Sequence, residues 1–258
     1  MKKALLYLLL VLGISIAVLL VGGAFVGFIT GFIDGYNENP TGTTDSEVVM
    51  YIMIGICFLL ICGLLHLVFI RRGFSSYSWG RIPEGERQKV IIPMIIVMCG
   101  MAFVYQYVGN LQPDNEDKEM FLWLHKHPWF SVPLTFLMEA TGYLVFFGGI
   151  LRELLEWKHR PVLIIGSLAL LSGVIFWLAE DNPWVVGLTV VIYIIDAWVY
   201  ECTRSIVPSV CGSLCFESIN FLTSSYTPTS WYLLVALVLI LPWLFSLHKA
   251  MDPYKPID

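Results

Sequence analysis

Residues 4–33 read ALLYLLLVLGISIAVLLVGGAFVGFITGFI, an unbroken apolar run without one charged side chain. About 20 such residues are enough for a helix to cross the roughly 30 Å hydrocarbon core of a bilayer. Lys2 and Lys3 precede the run, as in a signal peptide, but the run is too long for that role and lacks an A-x-A cleavage site. It reads as an uncleaved first span. Seven further apolar segments follow, at roughly 48–70, 89–109, 131–151, 161–179, 184–203, 206–223 and 230–247. Backbone inside hydrocarbon must satisfy its own polar groups, so these segments are expected to be helices. The alternating ten-residue pattern of a membrane barrel is absent. The expected fold is all-α: one polytopic membrane domain of about eight transmembrane helices. Its parts are N-terminal helices with an interfacial segment (1–130), a core set of helices (131–247) and a cytoplasmic tail (248–258).

Composition agrees. The 258 residues are 57% hydrophobic and 14% charged, with 16 Phe, 12 Tyr and 9 Trp. A soluble domain carries about 25% charged residues, and so little charge cannot cover so much apolar surface in water. A soluble enzyme and a disordered tail are thereby excluded. The net charge of −5 excludes a nucleic-acid binder, which needs a basic face.

Charge also assigns a direction, because basic residues favour cytoplasmic loops. With the N-terminus in the cytoplasm and eight alternating spans, 13 of the 15 Lys and Arg fall inside, leaving Lys118 and Lys126 outside. The expectation is a protein of the bacterial inner membrane with both termini cytoplasmic. The outer loops are acidic, most densely at 112–119, Gln-Pro-Asp-Asn-Glu-Asp-Lys-Glu. Segment 120–130, with two Trp and two Phe, reads as an interfacial helix anchored by aromatics.

The six cysteines all lie within spans or at a cytoplasmic span end, so no disulfide framework is implied. Cys211 and Cys215 sit one turn apart and read as small packing residues. No H-E-x-x-H, Walker loop or G-x-S-x-G occurs. No metal or cofactor is expected. Gly23, Gly27, Gly31 and Gly35 repeat every fourth residue. They form one helix face suited to close packing against a helix of this or another chain.

Charges inside spans are costly and usually have a reason. Three acids fall there: Glu139, Asp196 and Glu217. At about 1.5 Å per residue, Glu139 lies roughly 12 Å from the outer end of its helix, and Glu217 roughly 16 Å from the inner end of its own. Both are near the midplane; Asp196 is nearer the cytoplasm. No Lys or Arg shares their depth, so each must be neutral, hydrated or bonded to a polar neighbour or cation. Thr141, Tyr143, Ser213, Ser218 and Asn220 are the neighbours offered by sequence.

Segments Phe147-Gly148-Gly149-Ile150-Leu151-Arg152-Glu153-Leu154-Leu155, Ser172-Gly173-Val174-Ile175-Phe176 and Tyr200-Glu201-Cys202-Thr203-Arg204-Ser205-Ile206-Val207-Pro208-Ser209 carry a resemblance. Region 143–217 resembles the CAAX protease and bacteriocin-processing (CPBP) family of intramembrane proteases. That family's motifs are E-E-x-x-x-R, F-x-x-x-H and H-x-x-x-N, on successive helices. The resemblance implies an eight-helix CPBP-like bundle and an endopeptidase ancestry. The departures fall on the chemistry. The glutamate pair corresponds to Tyr143 and Leu144, the arginine to Gly148, the second-motif histidine to Glu180, and the last His and Asn to Ser213 and Glu217. In the family, those glutamates and histidines are thought to activate a water, which requires a general base within reach. Tyr, Leu and Gly cannot supply one.

Three functions follow as expectations. The first is a CPBP-like membrane protein without the standard protease chemistry, holding a membrane or lipidated peptide or a protein partner within the lipid bilayer. The second is a still-active protease whose candidate catalytic acids are Glu139, Glu180 and Glu217. The third is a small ion-coupled transporter using the midplane acids.

Overall fold

The computed structural model describes residues 2–36, 44–71, 79–109, 127–158, 160–179, 182–223 and 229–254. Their architecture is all-helical, with no strand among the described residues. The helices are α1 (Lys2–Tyr36), α2 (Thr44–Arg71), α3 (Arg87–Gly109), α4 (Pro128–Tyr143), α5 (Arg152–Lys158), α6 (Pro161–Ala179), α7 (Pro183–Thr203), α8 (Val207–Thr223) and α9 (Trp231–Met251). A π-helical segment, Leu144–Leu151, joins α4 to α5. Short 3₁₀ turns stand at Glu84–Glu86 and Asp252–Tyr254. Each of the eight apolar segments falls on a helix. Six are long and apolar enough to cross a membrane, within α1, α2, α3, α4–α5, α7 and α9. The apolar part of α6, Pro161–Val174, is shorter, and α8 has 17 residues. These are the helices of an integral membrane protein.

Local signals set the helix ends. Asn182 caps α7: its Oδ1 accepts from the Trp184 and Val185 amides at 3.0 and 3.4 Å, with Pro183 filling the first turn. Its Nδ2 donates to the Val108 carbonyl at 2.9 Å, tying the start of α7 to the end of α3. At its other end α7 stops at Arg204, in the left-handed region with φ 54°. The turn into α8 is buried and polar. Thr203 Oγ1 donates to the Val199 carbonyl at 2.7 Å, and the Val207 amide donates to Ser205 Oγ at 3.2 Å. Gly80 (φ 57°) lets the 79–82 segment lie flat on this turn, where the Arg81 amide donates to the Thr203 carbonyl at 2.7 Å.

Two apolar clusters share α7 and α8. One gathers Tyr7, Phe69, Leu144, Leu151, Tyr200 and Ile206 from α1, α2, the π segment, α7 and the α7–α8 turn. The other gathers Met94, Met98, Val199, Phe216 and Leu247 from α3, α7, α8 and α9. The outer helices keep large apolar faces exposed, as at Phe28 on α1 and Phe245 on α9, 72% and 71% exposed. Such faces suit lipid. Three described arginines gather at one end: Arg81 meets the α7–α8 turn and the Tyr254 carbonyl, and Arg152 and Arg204 both act on Tyr200.

Lipid tails are as apolar as Leu, so helix association here rests on close packing and polar contacts. Small residues make that closeness among the described residues. A Cβ on Gly100 would come within 2.6 Å of Ile240 Cγ1, one on Gly212 within 2.8 Å of Met98 Cγ, and one on Gly149 within 2.8 Å of Phe69 Cε1. On α1, the glycine that comes closest to α2 is Gly22, against the Cys57 sulfur, and Tyr7 packs on Phe69 of α2 with ring centroids 5.4 Å apart. Among the described residues, a Cβ at Gly23, Gly27, Gly31 or Gly35 would meet nothing within 4 Å. Gly100→Val is therefore expected to lower stability by about 1–3 kcal/mol through overpacking, and Gly31→Val to change it by less than about 0.5 kcal/mol. Unfolding midpoints of the two variants in detergent micelles measure the difference; equal midpoints would refute this packing.

Candidate functional site

The three acids of the apolar segments, Glu139, Asp196 and Glu217, sit at the junction of α4, α7 and α8. α4 presents Glu139 and Tyr143 one turn apart, and α8 presents Ser209, Ser213 and Glu217 at the same four-residue interval, so each set shares a helix face. α7 contributes Asp196. Ser213 Oγ donates to Glu139 Oε2 at 2.6 Å, and Tyr143 OH donates to Asp196 Oδ2 at 2.6 Å. Ser213 also lies beside the Tyr143 hydroxyl, which brings the two pairs together. Glu139 stands within electrostatic reach of both Asp196 and Glu217.

Asp196 is the most enclosed of the acids, 1% exposed. Its Oδ1 and the Ser209 hydroxyl are both buried without a hydrogen-bond partner among the described residues, although Ser209 lies beside Asp196. A buried carboxyl keeps its place only when hydrogen bonds replace lost water. Here Tyr143 supplies one. Tyr143 is itself held by a stack on Phe147, with centroids 5.1 Å apart and planes 16° apart. Phe147 in turn abuts Tyr193 and Tyr200. The π segment begins one residue after Tyr143. Such widened turns often mark functional sites.

The structure sorts the residues proposed from sequence. Glu139, Tyr143 and Ser213 meet directly; Glu217 lies one turn beyond Ser213. Leu144 is fully buried in the apolar cluster, and Gly148 is buried in the π segment. Glu180, Lys118, Lys126, the acidic stretch 112–119 and most of segment 120–130 lie outside the described residues. Of the other polar neighbours, Thr141 bonds the Cys62 carbonyl at 3.3 Å, Ser218 the Leu214 carbonyl at 2.6 Å, and Asn220 Oδ1 accepts from Gln106 at 3.3 Å. The sequence reading missed Ser209. Its spacing of four from Ser213 and eight from Glu217 is the signal that points to it. Among the described residues, no group of three or more His, Cys, Asp and Glu is arranged to hold a metal ion, and all six cysteines are free thiols.

The Tyr143–Asp196 hydrogen bond can be measured by a double-mutant cycle. Tyr143→Phe and Asp196→Ala are expected to couple by about 0.5–2 kcal/mol in detergent or bicelles. Asp196→Asn is expected to be milder than Asp196→Ala, because the amide oxygen still accepts from Tyr143 and no buried hydroxyl is orphaned. Additive single effects would dissolve the pair.

No protein-family model matches this chain, and no curated protein or solved structure matches it either.

Proposed function

We propose that this chain is an eight-helix protein of the bacterial inner membrane, built on a CPBP-like scaffold, that holds a membrane-embedded or lipidated peptide without cleaving it. One observation carries the reading: the Ser213–Glu139 contact at 2.6 Å, with Tyr143 alongside. Tyr143 and Ser213 are the residues aligned with the first and third motifs of the family. They lie 70 positions apart in the chain, and a shared ancestral site requires them to meet. Their side chains argue against hydrolysis. The Tyr143 hydroxyl is engaged by Asp196, one Glu139 oxygen is engaged by Ser213, and no histidine stands at either aligned position. A water-activating base needs an available lone pair facing the substrate, whereas Glu139 and Asp196 each have one oxygen engaged by a neighbouring hydroxyl.

The gathering of basic residues at one end of the bundle supports cytoplasmic termini under the positive-inside rule. Eight crossings include α6 and α8, whose shorter lengths suit helices packed against α7 and α3 rather than against thick lipid alone.

The test uses the purified full-length protein in liposomes. A photoreactive farnesylated CAAX-type peptide is expected to label the protein saturably, in competition with the unlabelled peptide, and to remain intact. Cleavage lost in Glu139→Gln or Glu217→Gln would replace this reading by the shifted-acid protease. Absent labelling together with acid-dependent ion flux would replace it by a transporter.

A further inference from the structure

A groove of about 580 Å³ lies between the first turns of α3 and the last turns of α9, and it uses none of the residues of the acid junction. Lys89 and Ile92 line it from α3, and Trp243, Ser246 and Lys249 from α9. Positions 89 and 92, and 243, 246 and 249, recur at helical intervals, so each set occupies one helix face. Polarity therefore changes along the groove. Lys89, Ser246 and Lys249 stand toward the helix ends where the 3₁₀ turns lie. Ile92, 45% exposed, and Trp243 stand one to two turns deeper along the same helices.

Glu86 is the only acid among the groove's described lining residues, and it pairs with Lys89 at 2.6 Å, both side chains remaining partly exposed. With Lys249 opposite, the lining carries one net positive charge. It also lies at the basic end of the bundle, beside Arg81 and Tyr254. A cationic end at the interface, continued by an apolar and aromatic end in the hydrocarbon, matches the polarity of a phospholipid rather than that of a soluble anion. Basic recesses between transmembrane helices hold lipid headgroups in this way, and the volume lies within the range of small-molecule sites. We infer that this groove seats one anionic phospholipid, its phosphodiester between Lys89 and Lys249 and an acyl chain along Ile92 and Trp243.

Native mass spectrometry of the full-length protein in detergent, titrated with phosphatidylglycerol or with phosphatidylcholine, tests the assignment. Phosphatidylglycerol is expected to bind more tightly. Lys249→Gln should weaken it roughly fivefold, and Glu86→Gln should tighten it by freeing Lys89. Trp243→Ala should weaken both lipids. Lys249 is exposed, and an unchanged unfolding temperature will confirm that its variant folds. Equal affinity for the two lipids, or a folded Lys249→Gln with undiminished phosphatidylglycerol binding, overturns the proposal. Displacement of the lipid by millimolar inorganic phosphate also overturns it, in favour of a free-anion site. None of these outcomes bears on peptide labelling at the acid junction.

Discussion

A carboxyl group inside hydrocarbon has no water to turn to, and the meeting of α4, α7 and α8 answers that constraint. Asp196 is met by Tyr143 and Glu139 by Ser213, each at 2.6 Å. Apolar faces do not distinguish a neighbouring helix from lipid, so they cannot choose partners in a bilayer. Polar groups can, because a lost hydrogen bond there is not repaid by solvent. The two pairs therefore do more than tolerate buried acids: they select which three helices sit together and in what rotation.

The rest of the bundle is arranged around that junction. α7 and α8 lie between the two apolar clusters and contribute to both, while α1 and α9 present broad exposed apolar faces. Close approach of α3 to α8 and α9 depends on Gly212 and Gly100, and the π segment packs on α2 through Gly149 against Phe69. At the basic end, the tight α7–α8 turn and the segment opposite it close the bundle through backbone hydrogen bonds and the Arg204–Glu201 ion pair at 2.9 Å. The same end carries the groove with Lys89 and Lys249, which shares no residue with the acid junction.

Part of the site was legible in the chain. Glu139, Asp196 and Glu217 stand out because they are acids inside apolar runs. Tyr143 and Ser213 stand out as polar residues close in sequence to those acids, and both are in the junction. Their pairing was not legible. Tyr143 is one turn from Glu139 yet donates to Asp196, 53 positions away, and Ser213 reaches Glu139 across 74. Residues one turn apart on a helix point the same way, so a side chain facing a neighbouring helix is satisfied across the interface rather than along its own strand of sequence. The glycine repeat of α1 illustrates the converse. Its period marks a face able to pack closely, but which described glycine of α1 admits a neighbour, Gly22 against Cys57, is a matter of tertiary placement.

The sequence by itself determined that this is a helical membrane protein, where its apolar helices lie and which ionisable groups need partners. Those properties are local: helix hydrogen bonds close within four residues, and the cost of a charge in hydrocarbon depends on its depth along one segment. Only the tertiary structure decided which hydroxyl meets which acid, which glycines admit a neighbour and where a groove opens between α3 and α9. Those outcomes depend on the lateral placement and rotation of helices, which a uniformly apolar surface leaves unspecified and which a few polar and small side chains settle.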